Sequence, residues 1–292
     1  MIPPNSRRRA LADFLELAKA RIVGLVLVTV AAGYYVAAPG SLEWIRLLHT
    51  LIGTALVAAG TNALNQVYER DVDARMRRTA GRPLPTGRVT VRAASIWAWV
   101  AGGVGVAYLA VLVAPVVAVL AALTLLTYVF LYTPLKRRTS LATLVGAIPG
   151  ALPIVGGWAA GGGSLGSEAL VLFAVLFLWQ IPHFLALAWL YREDYSQAGL
   201  HMLSVDDETG VVTFRQATLY TFVLVPFSIA PVAFGLAGPL YFWGALGLSI
   251  WMLRVAWQAA RRPSRRAAGR LFRASVVYLP ALLALLVTTA LR

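Results

Sequence analysis

Leu47-Leu-His-Thr-Leu-Ile-Gly-Thr-Ala-Leu-Val-Ala-Ala-Gly-Thr-Asn-Ala-Leu-Asn-Gln-Val-Tyr68 carries no charged residue, and Glu69-Arg70-Asp71-Val72-Asp73 follows it directly. A helix needs about 20 consecutive apolar residues to cross the hydrocarbon core of a bilayer. Lipid offers no partner to backbone N–H and C=O groups, so a run that crosses must satisfy them internally, as a helix does. The stretch therefore predicts a membrane-spanning helix whose end is crowded with carboxylates.

The rest of the chain repeats the first half of that pattern. Of 292 residues, 59% are hydrophobic and 13% charged, about half the charge that a water-facing domain carries. Further apolar runs cover 22–38, 93–113, 116–132, 141–158, 169–189, 218–235, 241–257 and 272–291, with Pro115 separating the third run from the fourth. The expected fold is all-α: a polytopic transmembrane bundle of about nine helices, with a cytoplasmic amino-terminal segment at 1–21 and one membrane-embedded domain at 22–291. Pro149 and Pro153 predict a kinked or broken fifth helix facing protein or a cavity. Gly161 to Gly163 reads as a turn between runs. Asp13 and Glu16 precede the first run and eight more follow it, which argues against a cleaved signal peptide.

Charge tests the topology independently. A net charge of +14 suits either a nucleic-acid surface or a membrane protein with a basic cytoplasmic side. With the amino end inside, the cytoplasmic segments hold 24 of the 26 Lys and Arg, and only Arg46 and Arg292 fall outside. One missed span would scramble that asymmetry, which is the one the positive-inside rule demands. No nucleic-acid partner is expected, and the chain is read as an integral, multi-pass membrane protein. The absence of cysteine removes disulfides, thiolate metal sites and cysteine nucleophiles.

Ten of the twelve acidic residues fall inside; Glu43 and Glu168 are the exceptions. On a helix, Asn65, Glu69 and Asp73 are spaced i, i+4 and i+8 and share an arc of about 80°. Asp71 points elsewhere and is expected to pair with an arginine. Hard cations such as Mg2+ take carboxylate and carbonyl oxygens and fill their remaining positions with water and substrate phosphate. The arginines that follow, up to Arg92, offer forked donors to phosphate oxygens. The plainer reading of the same residues is mutual salt bridging at the membrane surface, and spacing alone does not separate the two. A second acidic group, Glu193 and Asp194 within Tyr191-Arg-Glu-Asp-Tyr195, lies at the cytoplasmic end of the sixth run and can face the first across a cavity. Asn62, Gln180 and His183 are polar groups at membrane depth, where such groups default to function. Asp206-Asp207-Glu208, beside Gly210, reads as a solvated turn. His49 reads as interfacial.

These residues resemble the UbiA-type membrane prenyltransferases, whose pattern Asn-Asp-x-x-Asp-x-x-x-Asp here stands as Asn65-Gln66-x-x-Glu69-x-x-x-Asp73. The similarity is closer to the branch that farnesylates protohaem IX. It is carried by 65–79, by Arg82-Pro-Leu-Pro-Thr-Gly-Arg88, by Tyr132-Thr-Pro-Leu-Lys-Arg-Arg-Thr139, by Pro182-His-Phe184 and by Tyr191-Arg-Glu-Asp-Tyr-x-x-Ala-Gly199. Departures are Lys19-Ala20-Arg21 in place of Lys-Pro-Arg, His201 where a proline is usual, and Ala198 four residues after Asp194. The resemblance implies transfer of the farnesyl group of farnesyl diphosphate to a vinyl group of haem B, giving haem O. It implies a Mg2+-dependent site, with Asn65, Glu69, Asp73, Glu193 and Asp194 as catalytic groups and Asn65, Glu69, Asp73 and Asp194 as metal ligands. Diphosphate would be held by Arg21, Arg70, Arg77, Arg78, Arg82, Lys136 and Arg137. His183 would contact haem, and Tyr128, Tyr132, Trp179 and Phe184 would face the allylic cation. Expected partners are farnesyl diphosphate, haem B, membrane lipids, and haem A synthase or oxidase assembly factors as recipients, in a bacterial cytoplasmic (inner) membrane. Three alternatives stay open: a prenyltransferase for another acceptor such as 4-hydroxybenzoate, an ion-coupled transporter, and a haem carrier without catalysis.

Overall fold

The computed structural model describes residues 4–38, 40 and 42–291. The side chains of Arg7, Arg8 and Arg9, residues 1–3 of the amino-terminal segment, and Arg292 lie outside the described residues. A short entry helix α1 (Pro4–Ala18) precedes α2 (Ala20–Ala37), α3 (Trp44–Asp73), α4 (Val91–Leu112) and α5 (Pro115–Leu126). A π-helical turn, Thr127–Tyr132, carries α5 into α6 (Thr133–Leu135). Then come α7 (Ala142–Ala160), α8 (Ser167–Leu190), the short α9 (Arg192–Gln197) and α10 (Leu203–Asp206), and α11 (Val211–Ala233), α12 (Pro239–Arg261) and α13 (Arg265–Thr288). Among the described residues nine helices are long and apolar enough to cross a membrane, with α5, the π turn and α6 forming one of them.

The split at Pro115 stands, with proline in the first turn of α5, where its missing N–H costs nothing. α11 and α13 begin at Val211 and Arg265 rather than at 218 and 272. Apolar patterning measures the layer crossed, whereas a helix continues into the headgroup zone as long as its polar residues find water. For the same reason α3 runs 30 residues, roughly 45 Å against a hydrocarbon core of about 30 Å. Its last turns thus emerge from the apolar layer, and they are the turns that hold Glu69 and Asp73.

α7 continues unbroken through Pro149 and Pro153 and is the most enclosed crossing, with 67% of its apolar stretch buried against 28% for α4. Enclosure supplies neighbours for the carbonyls that the prolines free. Glycine allows the backbones to close up: a side chain at Gly157 would run into the backbone of Val30 on α2, and one at Gly60 into Ala98 and Gly102 on α4. Such contacts replace the hydrophobic drive that lipid cannot give. Val72, in the last turn of α3, and Met76, just past its end, pack with Ala188, Ala198, Leu200 and Met202, so the polar ends of α3 and α8 meet at one end of the bundle.

Candidate active site

The site starts with the way α1 is tied to α3. The Gln66 amide donates to Leu17 O at 2.7 Å and the Asn62 amide to Ala18 O at 3.1 Å, which satisfies carbonyls that the end of α1 leaves without helical partners. The chain then turns through Lys19, the one described non-glycine residue with positive φ, at φ 52° and ψ 55°. A left-handed residue with a side chain costs about 1–2 kcal/mol, and here the turn brings Lys19 Nζ to 3.3 Å from Asn65 Oδ1. Burial, then repulsion from Arg82, lowers the Lys19 ammonium to about 7, with Glu69 opposing and Lys136 adding to the fall.

Asn65, Glu69 and Asp73 are all buried on the same face of α3, and each meets a group from another segment. The Asn65 amide donates to Thr133 Oγ at 3.1 Å, and that hydroxyl donates to Tyr128 O at 2.9 Å across the π turn. Extra residues in a helical turn re-aim its side chains, and this one presents Tyr128, Tyr132, Thr133 and Lys136 towards α3. Lys136 Nζ lies 2.9 Å from Glu69 Oε1 and 4.3 Å from the centre of the Tyr132 ring. Burial by itself would lower the Lys136 ammonium; the Glu69 carboxylate and the two tyrosines outweigh it and hold it well above its ordinary value.

Arg82 Nη1 lies 2.7 Å from Asp73 Oδ2, whereas Asp73 Oδ1 is buried and has no hydrogen-bond partner. The loop that delivers Arg82 is braced by Thr79, whose hydroxyl donates to Asp73 O at 2.8 Å, and by Arg88, which pairs with Asp13 at 2.8 Å and Glu16 at 3.1 Å. Three oxygen-bearing side chains on one helix are thus surrounded by three cationic side chains from three other segments. Local salt bridging, the plainer reading of the sequence, is present; the stacked acids are also buried together, which surface pairing does not require.

The other expected phosphate ligands are spread more widely. Arg78 lies over the Tyr191 ring at 5.0 Å, and Arg137 donates to Tyr68 O at 3.3 Å. Arg21 and Arg77 are exposed. Arg70 pairs with Asp71 at 3.1 Å in solvent, the pairing expected for Asp71. In the second acidic group, Asp194 is half-buried, while Glu193 is exposed and lines a separate cleft with Arg192, Glu208 and Arg265. Among the described residues no hydrogen bond or ion pair links either acid to Asn65, Glu69 or Asp73. Tyr195, next along α9, packs against the cluster of Val72 and Met76 at the end of α3; burial raises its phenol first, with Arg78, Tyr132, Lys136 and Glu69 acting on it at longer range.

His183 sits on α8 between the rings of Trp179 and Phe272, at 5.1 and 4.9 Å, with Phe184 at 5.5 Å. Its Nδ1 is 2.8 Å from Ser275 Oγ on α13, and that hydroxyl already donates to Phe272 O at 2.7 Å. The hydroxyl proton being spent, Nδ1 carries the hydrogen and Nε2 keeps its lone pair.

One expectation is corrected. Asp207 belongs to no solvated turn: it is buried, with Oδ1 accepting from Gly210 N at 3.0 Å and Oδ2 from Thr213 N at 2.7 Å. It ties down the entry to α11. Burial pushes its carboxyl up, but the hydrogen bonds from Thr213, Thr209 and Gly210 win and lower it. Lys19 and Thr133 stood inside or beside the quoted motifs, but nothing in their spacing showed that they would meet Asn65.

The donor set fits a hard cation. It is all oxygen, it carries two formal negative charges, and Asp73 Oδ1 is a buried acceptor with nothing to accept, an arrangement that costs free energy unless a ligand satisfies it. The surrounding lysines and arginine suit a polyanion.

Residues 26–285 match the model of the UbiA prenyltransferase family. The protoheme IX farnesyltransferase of Solibacter usitatus is 47% identical over 278 residues, covering 92% of this chain and 95% of that protein. The enzyme of the same name from Koribacter versatilis is 41% identical, covering 98% and 95%. Among solved structures, digeranylgeranylglyceryl phosphate synthase superposes with a TM-score of 0.81 at 15% identity, covering 96% of this chain and 98% of that one. A UbiA homolog from Archaeoglobus fulgidus bound to GPP and Mg2+ gives 0.66 at 15% identity, covering 94% and 99%.

Proposed function

The chain belongs to the UbiA prenyltransferase family, and we propose that it transfers the farnesyl group of farnesyl diphosphate to a vinyl group of haem B, making haem O in a bacterial cytoplasmic membrane. The observation that carries this is the buried stack of Asn65, Glu69 and Asp73 at the emergent end of α3, ringed by Lys19, Arg82 and Lys136. The named activity of the two bacterial relatives, each similar along nearly the whole chain, supports the choice of acceptor.

The barrier is the heterolysis of an allylic carbon–oxygen bond: its electron pair leaves with diphosphate, the vinyl π pair forms the new carbon–carbon bond, and water captures the cation left on the other vinyl carbon, losing a proton to leave a hydroxyl. Catalysis must stabilise charge that appears only as the bond breaks. Asn65, Glu69 and Asp73 would hold Mg2+, with Asp194 on α9 as the proposed further ligand, and the metal when bound supplies Lewis-acid neutralisation of the leaving diphosphate. Lys19, Arg82 and Lys136 lie where phosphate oxygens would compete for them, so the present ion pairs keep the acids and bases folded in place until substrate exchanges partners with them. Arg78, over the Tyr191 ring just before α9, would reach the diphosphate from that side. The Tyr128 and Tyr132 rings, an edge-to-face pair with centres 4.9 Å apart, offer π density to an allylic cation. No side-chain nucleophile is needed. His183, with Nε2 free in its aromatic slot, is the group proposed to contact haem iron.

The proton- or ion-coupled transporter reading asks for charged groups near the bilayer midplane, whereas these acids sit at the end of a 30-residue helix. The test is direct. Purified protein with Mg2+ and farnesyl diphosphate should convert haem B to a species heavier by the added prenyl group and one hydroxyl from water, seen by mass spectrometry, and should not do so with chelator present. Unaltered haem B together with prenylated 4-hydroxybenzoate would overturn the acceptor and keep the family chemistry.

A further inference from the structure

The far end of the bundle holds a shallow cavity of mixed lining, roughly 35 Å along α3 from Glu69 at 1.5 Å per residue. It is open to the surface, with a volume of about 670 Å³, and is lined by Glu43, Trp44, Ile45, Arg46, His49, Leu112 and Val113. Arg46 and Glu43 both face it, yet among the described residues no ion pair joins them. Among the described residues the guanidinium makes one long contact, Nη2 to Val113 O at 3.4 Å, and its buried Nε meets no acceptor. His49 is turned aside by Tyr108, its Nδ1 lying 2.7 Å from the phenol oxygen. Two opposite charges are therefore present in one cavity without satisfying each other. Leaving a buried donor of a charged group unmade is costly.

Apolar side chains frame the opening. Trp44, Ile45 and Leu48 are 69%, 75% and 56% exposed, and Leu112 is 45% exposed. A tryptophan at a helix end marks the level of the lipid headgroups. A ligand that fits must present an anion to the Arg46 fork and a cation to Glu43, with hydrocarbon against Trp44, Ile45 and Leu48.

We infer that this cavity binds the headgroup of a zwitterionic phospholipid with a primary ammonium, phosphatidylethanolamine, its phosphate on Arg46 and its ammonium on Glu43. A choline headgroup has no N–H to donate to the carboxylate, and a glycerol headgroup has no cation. The site lies at the other end of the molecule from the prenyl-transfer residues, so lipid retention reports on it whatever the acceptor proves to be.

Native mass spectrometry of the delipidated full-length protein, offered phosphatidylethanolamine, phosphatidylglycerol or phosphatidylcholine of matched chains, tests this. The wild type should retain one phosphatidylethanolamine in preference to the other two. Arg46→Gln should lower that retention about tenfold, as expected for loss of a charge-assisted pair, and Glu43→Gln should abolish the preference over phosphatidylglycerol. Arg46→Lys, which keeps the charge and loses the fork, should fall between and stands in if Arg46→Gln does not fold. Excess soluble glycerophosphoethanolamine should not displace the lipid; displacement would identify a water-soluble phosphate ester as the occupant and overturn the lipid assignment. Equal retention of all three lipids, or undiminished retention by folded Arg46→Gln and Glu43→Gln, would overturn the site.

Discussion

Asp73→Asn keeps the shape of the side chain and removes its charge. The Asp73 side chain is 1% exposed and that of Arg82 18% exposed, with one carboxylate oxygen at 2.7 Å from the guanidinium and the other buried and unpartnered. Breaking a fully buried pair costs about 3–5 kcal/mol, and the partial access of water to Arg82 brings the cost here to about 1–2 kcal/mol. The loss in catalysis is larger, because the removed charge acts where charge develops: about 2.7–4 kcal/mol, or roughly 10²–10³ in kcat. The assay is initial-rate prenyl transfer in detergent, with product by mass spectrometry and a Mg2+ titration, on Asp73→Asn, Arg82→Gln and the double variant. If Asp73 served only to anchor Arg82, the two single variants would lose equal activity, the double no more, and the Mg2+ requirement would stay put. The mechanism instead requires Asp73→Asn to lose at least about tenfold more than Arg82→Gln and to need more Mg2+, while Arg82→Gln raises KM for farnesyl diphosphate. A folded Asp73→Asn that keeps more than about a tenth of wild-type kcat/KM at unchanged Mg2+ demand refutes the reasoning.

Four further outcomes follow from the same geometry. Lys136→Gln strands the Glu69 carboxylate that now has a cation at 2.9 Å; KM for farnesyl diphosphate should rise, and Lys136→Arg should restore much of the affinity. Ser275→Ala removes the acceptor that fixes the His183 tautomer, so haem affinity by absorbance titration should fall several-fold while KM for farnesyl diphosphate holds; an unchanged haem affinity in both Ser275→Ala and His183→Gln would remove His183 from the haem site. Asp207→Ala should lower stability by about 1–2 kcal/mol, the worth of a helix-entry cap, seen in thermal unfolding with activity per folded molecule retained. Since the folded Asp207 carboxyl is depressed below its unfolded value, its contribution is present above the unfolded pKa and is lost as pH falls through the folded pKa; the wild type and Asp207→Ala should therefore converge in stability under acid. Gly157→Val should yield little folded protein, because the added side chain meets the backbone of Val30.

The sequence by itself determined how many times the chain crosses the membrane and which stretch carries the acids. Both are one-dimensional properties: an apolar run long enough to cross must be a helix, and the 3.6-residue repeat puts Asn65, Glu69 and Asp73 on one face whatever else the chain does. Helix ends such as Val211 and Arg265 were less legible, because polar residues at the headgroup level permit a helix without demanding one. What only the tertiary structure decided is which cations face those acids. Lys19 comes from a left-handed turn, Arg82 from a braced loop, and Lys136 from beyond a π turn. Their placement depends on backbone angles and inter-helix packing that no spacing rule encodes. The same holds for Arg70, which is adjacent to Glu69 in sequence yet pairs with Asp71 in solvent, and for Asp207, whose neighbours in a run of acids suggested solvent while its hydrogen bonds to Gly210 and Thr213 bury it. Sequence fixes the face of a helix on which a residue lies; what stands opposite that face is set by the fold, since opposing groups come from segments far apart in the chain.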